Sequence, residues 1–150
     1  MIPFESPFLA VPVGDWLCSN EFAFAIFDGF PVSPGHVLVT TRRIVETWFD
    51  ATDEEQAALM GLVKEAKQLL DLRLSPKPDG YNVGFNSGAT SGQTVPHVHI
   101  HVIPDKGVLC HKSFQVPVGG SSRRRKRGVV LSFQILPVKS LGISDLHGMC

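Results

Sequence analysis

Apolar and polar positions follow two rhythms along this chain. Phe22-Ala-Phe-Ala-Ile-Phe27 is a short continuous apolar run ended by Asp28, the pattern of a buried strand. Phe30-Pro-Val-Ser-Pro-Gly35 reads as a turn, with two prolines restricting φ and a glycine relaxing it. His36-Val-Leu-Val-Thr-Thr41 resumes the strand pattern, so the three segments predict a hairpin unit. The rhythm then lengthens: Leu59, Leu62, Val63, Ala66, Leu69 and Leu70 fall at helical spacing. They follow Thr52-Asp-Glu-Glu55, a capping box in which Thr52 accepts from the third helical N–H while Glu55 reaches back. The helix is predicted to run to Arg73, with acidic residues in its first turn and Lys64, Lys67 and Arg73 later, as the helix dipole favours. Ser75-Pro-Lys-Pro-Asp-Gly80 stops it. Tyr81–Asn86 and Pro96–Ile103 read as third and fourth strands joined by the loop Ser87–Val95. A helix between two pairs of strands predicts an α+β domain with an antiparallel sheet.

Length and charge sharpen this. A chain of 150 residues with 43% apolar composition is the size of one compact domain, which buries roughly 68–70% of its unfolded surface. The formal net charge is zero, which argues against a polyanion binder taken whole, but the zero is uneven. Residues 1–103 carry 6 Lys and Arg against 12 Asp and Glu; residues 104–150 carry 8 against 2. No apolar run approaches the roughly 18 residues of a membrane span, and Glu5, Pro7 and Pro12 break up any secretory signal. Three scattered cysteines, Cys18, Cys110 and Cys150, cannot form a disulfide framework, so a reduced, cytoplasmic protein is expected. After residue 104 the helical and strand rhythms fade, with Val129–Pro137 as one further strand candidate. Arg123-Arg-Arg-Lys-Arg127 reads first as a solvated charge run, and second as a patch for nucleic acid or another phosphate-rich polymer.

The candidate chemistry lies in Gln93-Thr-Val-Pro-His-Val-His-Ile-His-Val-Ile103. A two-residue period sends Val98, Ile100 and Val102 to one face and His97, His99 and His101 to the other, with successive imidazoles about 6.6–6.8 Å apart. A core would not choose three titratable rings in a row. Two chemistries could use them. One is a zinc site, with two ligands from the His-x-His pair and a third from His101 or His36. The other is covalent catalysis, in which a neutral imidazole attacks phosphorus, a second ring supplies a proton, and neighbouring donors hold the phosphate oxygens. Crowding helps the second, because charging one ring makes charging the next harder and keeps a nucleophile neutral near pH 7.

His97-Val-His-Ile-His-Val-Ile103, preceded by Gly92-Gln-Thr94, resembles the signature of the histidine-triad (HIT) family. Asp28, eight residues before the His36 of Pro34-Gly-His-Val37, and Asn86, eleven before His97, resemble family positions too. The likeness covers about residues 5–104, leaving 105–150 as an atypical basic segment. It implies a HIT-like antiparallel sheet of about five strands, one long helix and a short one. It also implies a nucleotide hydrolase of the diadenosine polyphosphate hydrolase-like branch, working at an α-phosphate as a homodimer. On this resemblance His99 is the nucleophile, His97 orients it through a backbone carbonyl, and His101 contacts the α-phosphate and the leaving oxygen. His36 joins the network from the neighbouring strand; Asn86, Gln93 and Thr94 hold phosphate oxygens; Asp28 binds ribose hydroxyls. No protein-held metal or other cofactor is implied, and any divalent metal would accompany the nucleotide. A nucleoside phosphoramidase, or a nucleotide-binding module with little turnover, are the alternatives.

The likeness stops at Pro104. Relatives continue with a basic residue, Gly-Asp and a Pro-Arg-Gly-Gly-like stretch, where this chain has Asp105-Lys-Gly-Val-Leu-Cys-His111. That departure bears on closure of the site and on the dimer.

Overall fold

The computed structural model describes residues 4–106 and the short strand at 134–135. The basic run Arg123–Arg127 and the rest of the segment after Lys106, residues 134–135 apart, lie outside the described residues. In chain order the strands are β1 (Cys18–Ser19), β2 (Ala23–Phe27), β3 (Val37–Thr41), β4 (Leu74–Ser75), β5 (Gly80–Gly84), β6 (His99–Asp105) and β7 (Gln134–Ile135). Five of them make one antiparallel sheet in the order β1-β2-β3-β6-β5. β4 and β7 pair separately, Leu74 with Ile135, inside the strand expected over 129–137. The expected α+β architecture is therefore present. The expected short second helix is not an α-helix among the described residues. Its place is taken by 3-10 turns at Pro7–Ala10, Val13–Asp15, Trp48–Asp50 and Ala89–Ser91, each too short for a run of i→i−4 bonds.

The long helix α1 spans Asp53–Arg73. It begins at the capping box: Glu55 N–H donates to Thr52 Oγ1 (3.2 Å) and Thr52 N–H to Glu55 Oε2 (2.9 Å). The buried Glu55 carboxylate also takes a fork from Arg43, with Nε at 2.9 Å and Nη2 at 2.8 Å. Its pKa is held low, by the Arg43 bonds first.

The period-two reading explains the layers. Ala23, Ala25, Val37, Val39, Val98, Ile100 and Val102 face α1 and meet Leu59, Leu62, Val63, Ala66 and Leu70 in the main core. Each large aliphatic side chain buried there contributes roughly 1.5–3 kcal/mol. The other face carries Phe24, Ile26 and Leu38, covered by Phe8 from the first 3-10 turn and flanked by Trp16, Val11 and Val95. The same alternation sends His36, His99 and His101 to this second face.

β6 starts at His99, later than the expected Pro96, for a local reason. Pro96 has no N–H, His97 N–H bonds Val95 O (2.8 Å) and Val98 N–H bonds Val45 O (2.7 Å). The backbone is thus committed to a bend before the ladder begins. At the other end β6 continues through Pro104, where β3 has already ended and no donor is required on that side.

Candidate active site

Asp28 and His36 are neighbours because they close a hairpin. Phe27 pairs with Val37, and Asp28 N–H bonds His36 O at 2.9 Å, so the next pair along sets both side chains on the same face. Gly35, at φ +84°, makes the turn into His36, and a Cβ there would lie 2.8 Å from a methyl of Leu74. Across the next ladder Leu38 pairs with His101 and Thr40 with His99. His36 is therefore diagonal to His101, and Nε2 of His36 stands 2.9 Å from Nδ1 of His101. On its far side His101 faces Gly84 of β5, which has no side chain to crowd it.

The partners of the ring nitrogens set the proton positions in this cluster. Nδ1 of His99 is 2.7 Å from the carbonyl of His97. A carbonyl only accepts, so Nδ1 carries the proton and Nε2 is the ring's acceptor. His36 Nδ1 accepts from Val32 N–H at 3.3 Å, and Asp28 Oδ2 also lies 3.3 Å away. With Val32 donating, Nε2 of His36 carries a proton toward His101, which keeps its own on Nε2; with Asp28 accepting from Nδ1, His101 donates to His36 instead. Asp28 Oδ1 meanwhile accepts Phe30 N–H at 2.8 Å.

Burial makes all four rings poor bases. It is the leading cause of the lowered pKa at His36, His97 and His99, and with His99 and His36 nearby it pushes His101 down to about 4. The rings are therefore neutral around pH 7, the state in which an imidazole lone pair can attack.

The cluster opens onto a cavity of about 720 Å³, large enough for a nucleotide-sized ligand. Pro7, Phe8, Val11, Ile26, Leu38 and Val95 make one apolar wall, while Asp28, His36, Asn86, Thr94, His99 and His101 gather at the polar part. Two expected residues stand elsewhere. His97 is fully buried, its Nε2 2.9 Å from Thr41 O and its Nδ1 2.6 Å from Ser6 Oγ. Gln93 does not line the cavity. Its amide donates to Glu46 O (2.6 Å) and Val95 O (2.9 Å) and accepts Gly88 N–H (2.7 Å), bracing the loop from inside.

The same bonds bear on metal. With both His97 nitrogens occupied and His99 Nδ1 donating, the His-x-His pair does not present two free lone pairs. Asp28, His36 and His101 do bring ligand atoms within 4.8 Å of one another. Two of those three already share a hydrogen bond, so a metal would have to displace it.

Sequence reasoning missed Ser6, Phe8 and Thr41. Phe8 sits edge-on to His99 with ring centroids 5.0 Å apart. It lies in an irregular segment with no periodicity to reveal it; the one available signal was Ser6-Pro7, a cap followed by proline at the first position of a turn.

Comparison with known proteins agrees with this geometry. The description of the HIT domain matches residues 14–108. The bis(5'-nucleosyl)-tetraphosphatase [asymmetrical] of Schizosaccharomyces pombe is 36% identical over 106 residues, 70% of this chain and 57% of that protein. The bis(5'-adenosyl)-triphosphatase of Dictyostelium discoideum is 37% identical over 100 residues, 62% of this chain and 66% of that protein. A crystal structure of a HIT family member from Bacillus subtilis superposes with a TM-score of 0.62 at 26% identity, covering 70% of this chain and 76% of that one. The chain spans about three-fifths of the length of the curated relatives it matches.

Proposed function

Since the chain belongs to the HIT domain family, we propose that it hydrolyses dinucleoside polyphosphates or related nucleotides at the α-phosphate, through a covalent intermediate on His99. One observation carries this reading. The 2.7 Å bond from His99 Nδ1 to the His97 carbonyl leaves Nε2 as a lone pair on a ring that lines the cavity.

In the first step Nε2 attacks the α-phosphorus. A P–N bond forms, the P–O bond to the remaining phosphate chain breaks, and the leaving nucleotide keeps that electron pair. His101, protonated on Nε2, donates to the leaving or bridging oxygen, and Asn86 and Thr94 hold the others. In the second step water replaces His99 on phosphorus, its proton passes to the His cluster, and a nucleoside monophosphate departs. The Phe8, Val11 and Ile26 wall receives the base, and Asp28 accepts from ribose hydroxyls with lone pairs not used by Phe30. Gln93 acts through the loop, holding Gly88 and the Asn86–Gly92 backbone in shape.

Among the described residues no helix is long and apolar enough to cross a membrane. The protein is proposed to work in the cytoplasm as a homodimer.

The test is to trap the intermediate. Brief incubation with a labelled diadenosine polyphosphate and an alkaline quench is expected to leave label on His99 and none on His99→Ala. Turnover without label under burst conditions would reject the mechanism. A parallel panel of adenosine phosphoramidates tells P–O–P from P–N substrates by their relative kcat/KM.

A further inference from the structure

We infer that Ser6 is a positioning residue for the reaction proposed above: its hydroxyl grips the unprotonated nitrogen of the buried His97 ring and ties the apolar wall of the cavity to the strand bearing His99. The catalytic consequence rests on that reading; the geometry does not.

Ser6 and His97 lie 91 residues apart in sequence, yet Ser6 Oγ and His97 Nδ1 are 2.6 Å apart. Both residues are buried, at 4% and 0% exposure, so no solvent can replace the contact. The direction of the bond follows from the other side of the ring. His97 Nε2 is 2.9 Å from the Thr41 carbonyl, which only accepts, so Nε2 carries the proton and Nδ1 must receive one. Ser6 is the donor.

The same hydroxyl accepts Phe8 N–H at 3.4 Å and so opens the Pro7–Ala10 turn. Phe8 in turn packs against His97 and His99, with ring centroids 5.7 and 5.0 Å away. One oxygen therefore joins two parts of the site: the segment that would meet the base, and the residue whose carbonyl orients the nucleophile. A helix cap alone needs only an acceptor; the donor function is used by the imidazole. Without it the buried Nδ1 lone pair is orphaned, which costs more than the bond itself was worth. The Thr41 carbonyl still holds the proton on Nε2, so the ring keeps its tautomer and tilts about that bond, and the His97 carbonyl shifts with it.

The experiment uses the full chain with ¹⁵N-labelled histidine. Long-range ¹H–¹⁵N correlation reads which His97 nitrogen is protonated, and quenched-flow labelling with a diadenosine polyphosphate reads the rate at which His99 is nucleotidylated. Wild type is expected to show His97 protonated on Nε2. Ser6→Ala is expected to keep Nε2 protonated, to move the ¹⁵N shift of the bare Nδ1 downfield as it loses its donor, and to show a burst rate lower by roughly fivefold to tenfold, the equivalent of one buried hydrogen bond. Ser6→Cys, with a weaker donor, should fall between. A wild-type His97 protonated on Nδ1 overturns the inference without any variant, and so does a Ser6→Ala protein with the wild-type Nδ1 shift and burst rate. If wild type shows the expected tautomer but forms no intermediate, the proposed reaction fails while the Ser6 bond stands.

Discussion

Holding four imidazoles neutral has a thermodynamic consequence that can be measured without substrate. In the unfolded chain His101 titrates at its ordinary value of 6.5, whereas in the fold it is pushed down to about 4. As pH falls through that interval the unfolded state takes up a proton that the folded state refuses, so stability is lost. Between pH 7 and pH 4.5 the difference is worth about 2 kcal/mol for this ring alone, after allowance for the solvent its partly exposed edge still meets. His36, His97 and His99 are lowered as well and act in the same direction. The assay is urea unfolding at pH 7 and pH 4.5, for wild type and His101→Asn. Wild type is expected to lose more stability on acidification than the variant, by about 2 kcal/mol. Equal losses, or a wild type that gains stability toward pH 4.5, would refute the claim that burial keeps His101 neutral.

Glu55→Ala removes the capping box and the buried partner of Arg43 together, and is expected to cost about 1–2 kcal/mol in urea unfolding while leaving the burst amplitude intact. Gln93→Ala takes three bonds from the loop without touching the cavity wall. It should lower kcat/KM by roughly tenfold or more, and a wild-type value would show that the loop holds its shape without the brace. Prolonged dialysis against a chelator, followed by assay with magnesium supplied alongside the nucleotide and no zinc, should leave nucleotidylation of His99 undiminished; its abolition, with recovery on adding zinc, would favour a metal site at Asp28, His36 and His101.

Much of this was legible in the chain because short-range rules govern it. The capping box at Thr52 and Glu55 marks the start of α1 and the Ser75–Gly80 breaker lies just past its end. The alternation of Val98, Ile100 and Val102 with the histidines separates core face from site face. The eight-residue interval from Asp28 to His36 turns out to be the span of one hairpin loop. What escaped depends on long-range contact. Nothing near Ser6 in sequence announces a partner 91 residues away. The resemblance implies Gln93 as a phosphate ligand, but its amide bonds backbone groups that only the folded loop brings close. β1 and β4 are two residues long, too short for any periodicity to show.

β6 places oily side chains and imidazoles on opposite sides of a single backbone, one residue apart. Inserting or deleting one residue within it would send the rings into the space now filled by Val98, Ile100 and Val102, and the aliphatics into the cavity. Packing and chemistry would then fail in the same step, with no half-altered form between. The strand cannot drift in length by small changes, so diversity among proteins built this way has to accumulate in the loops on either side.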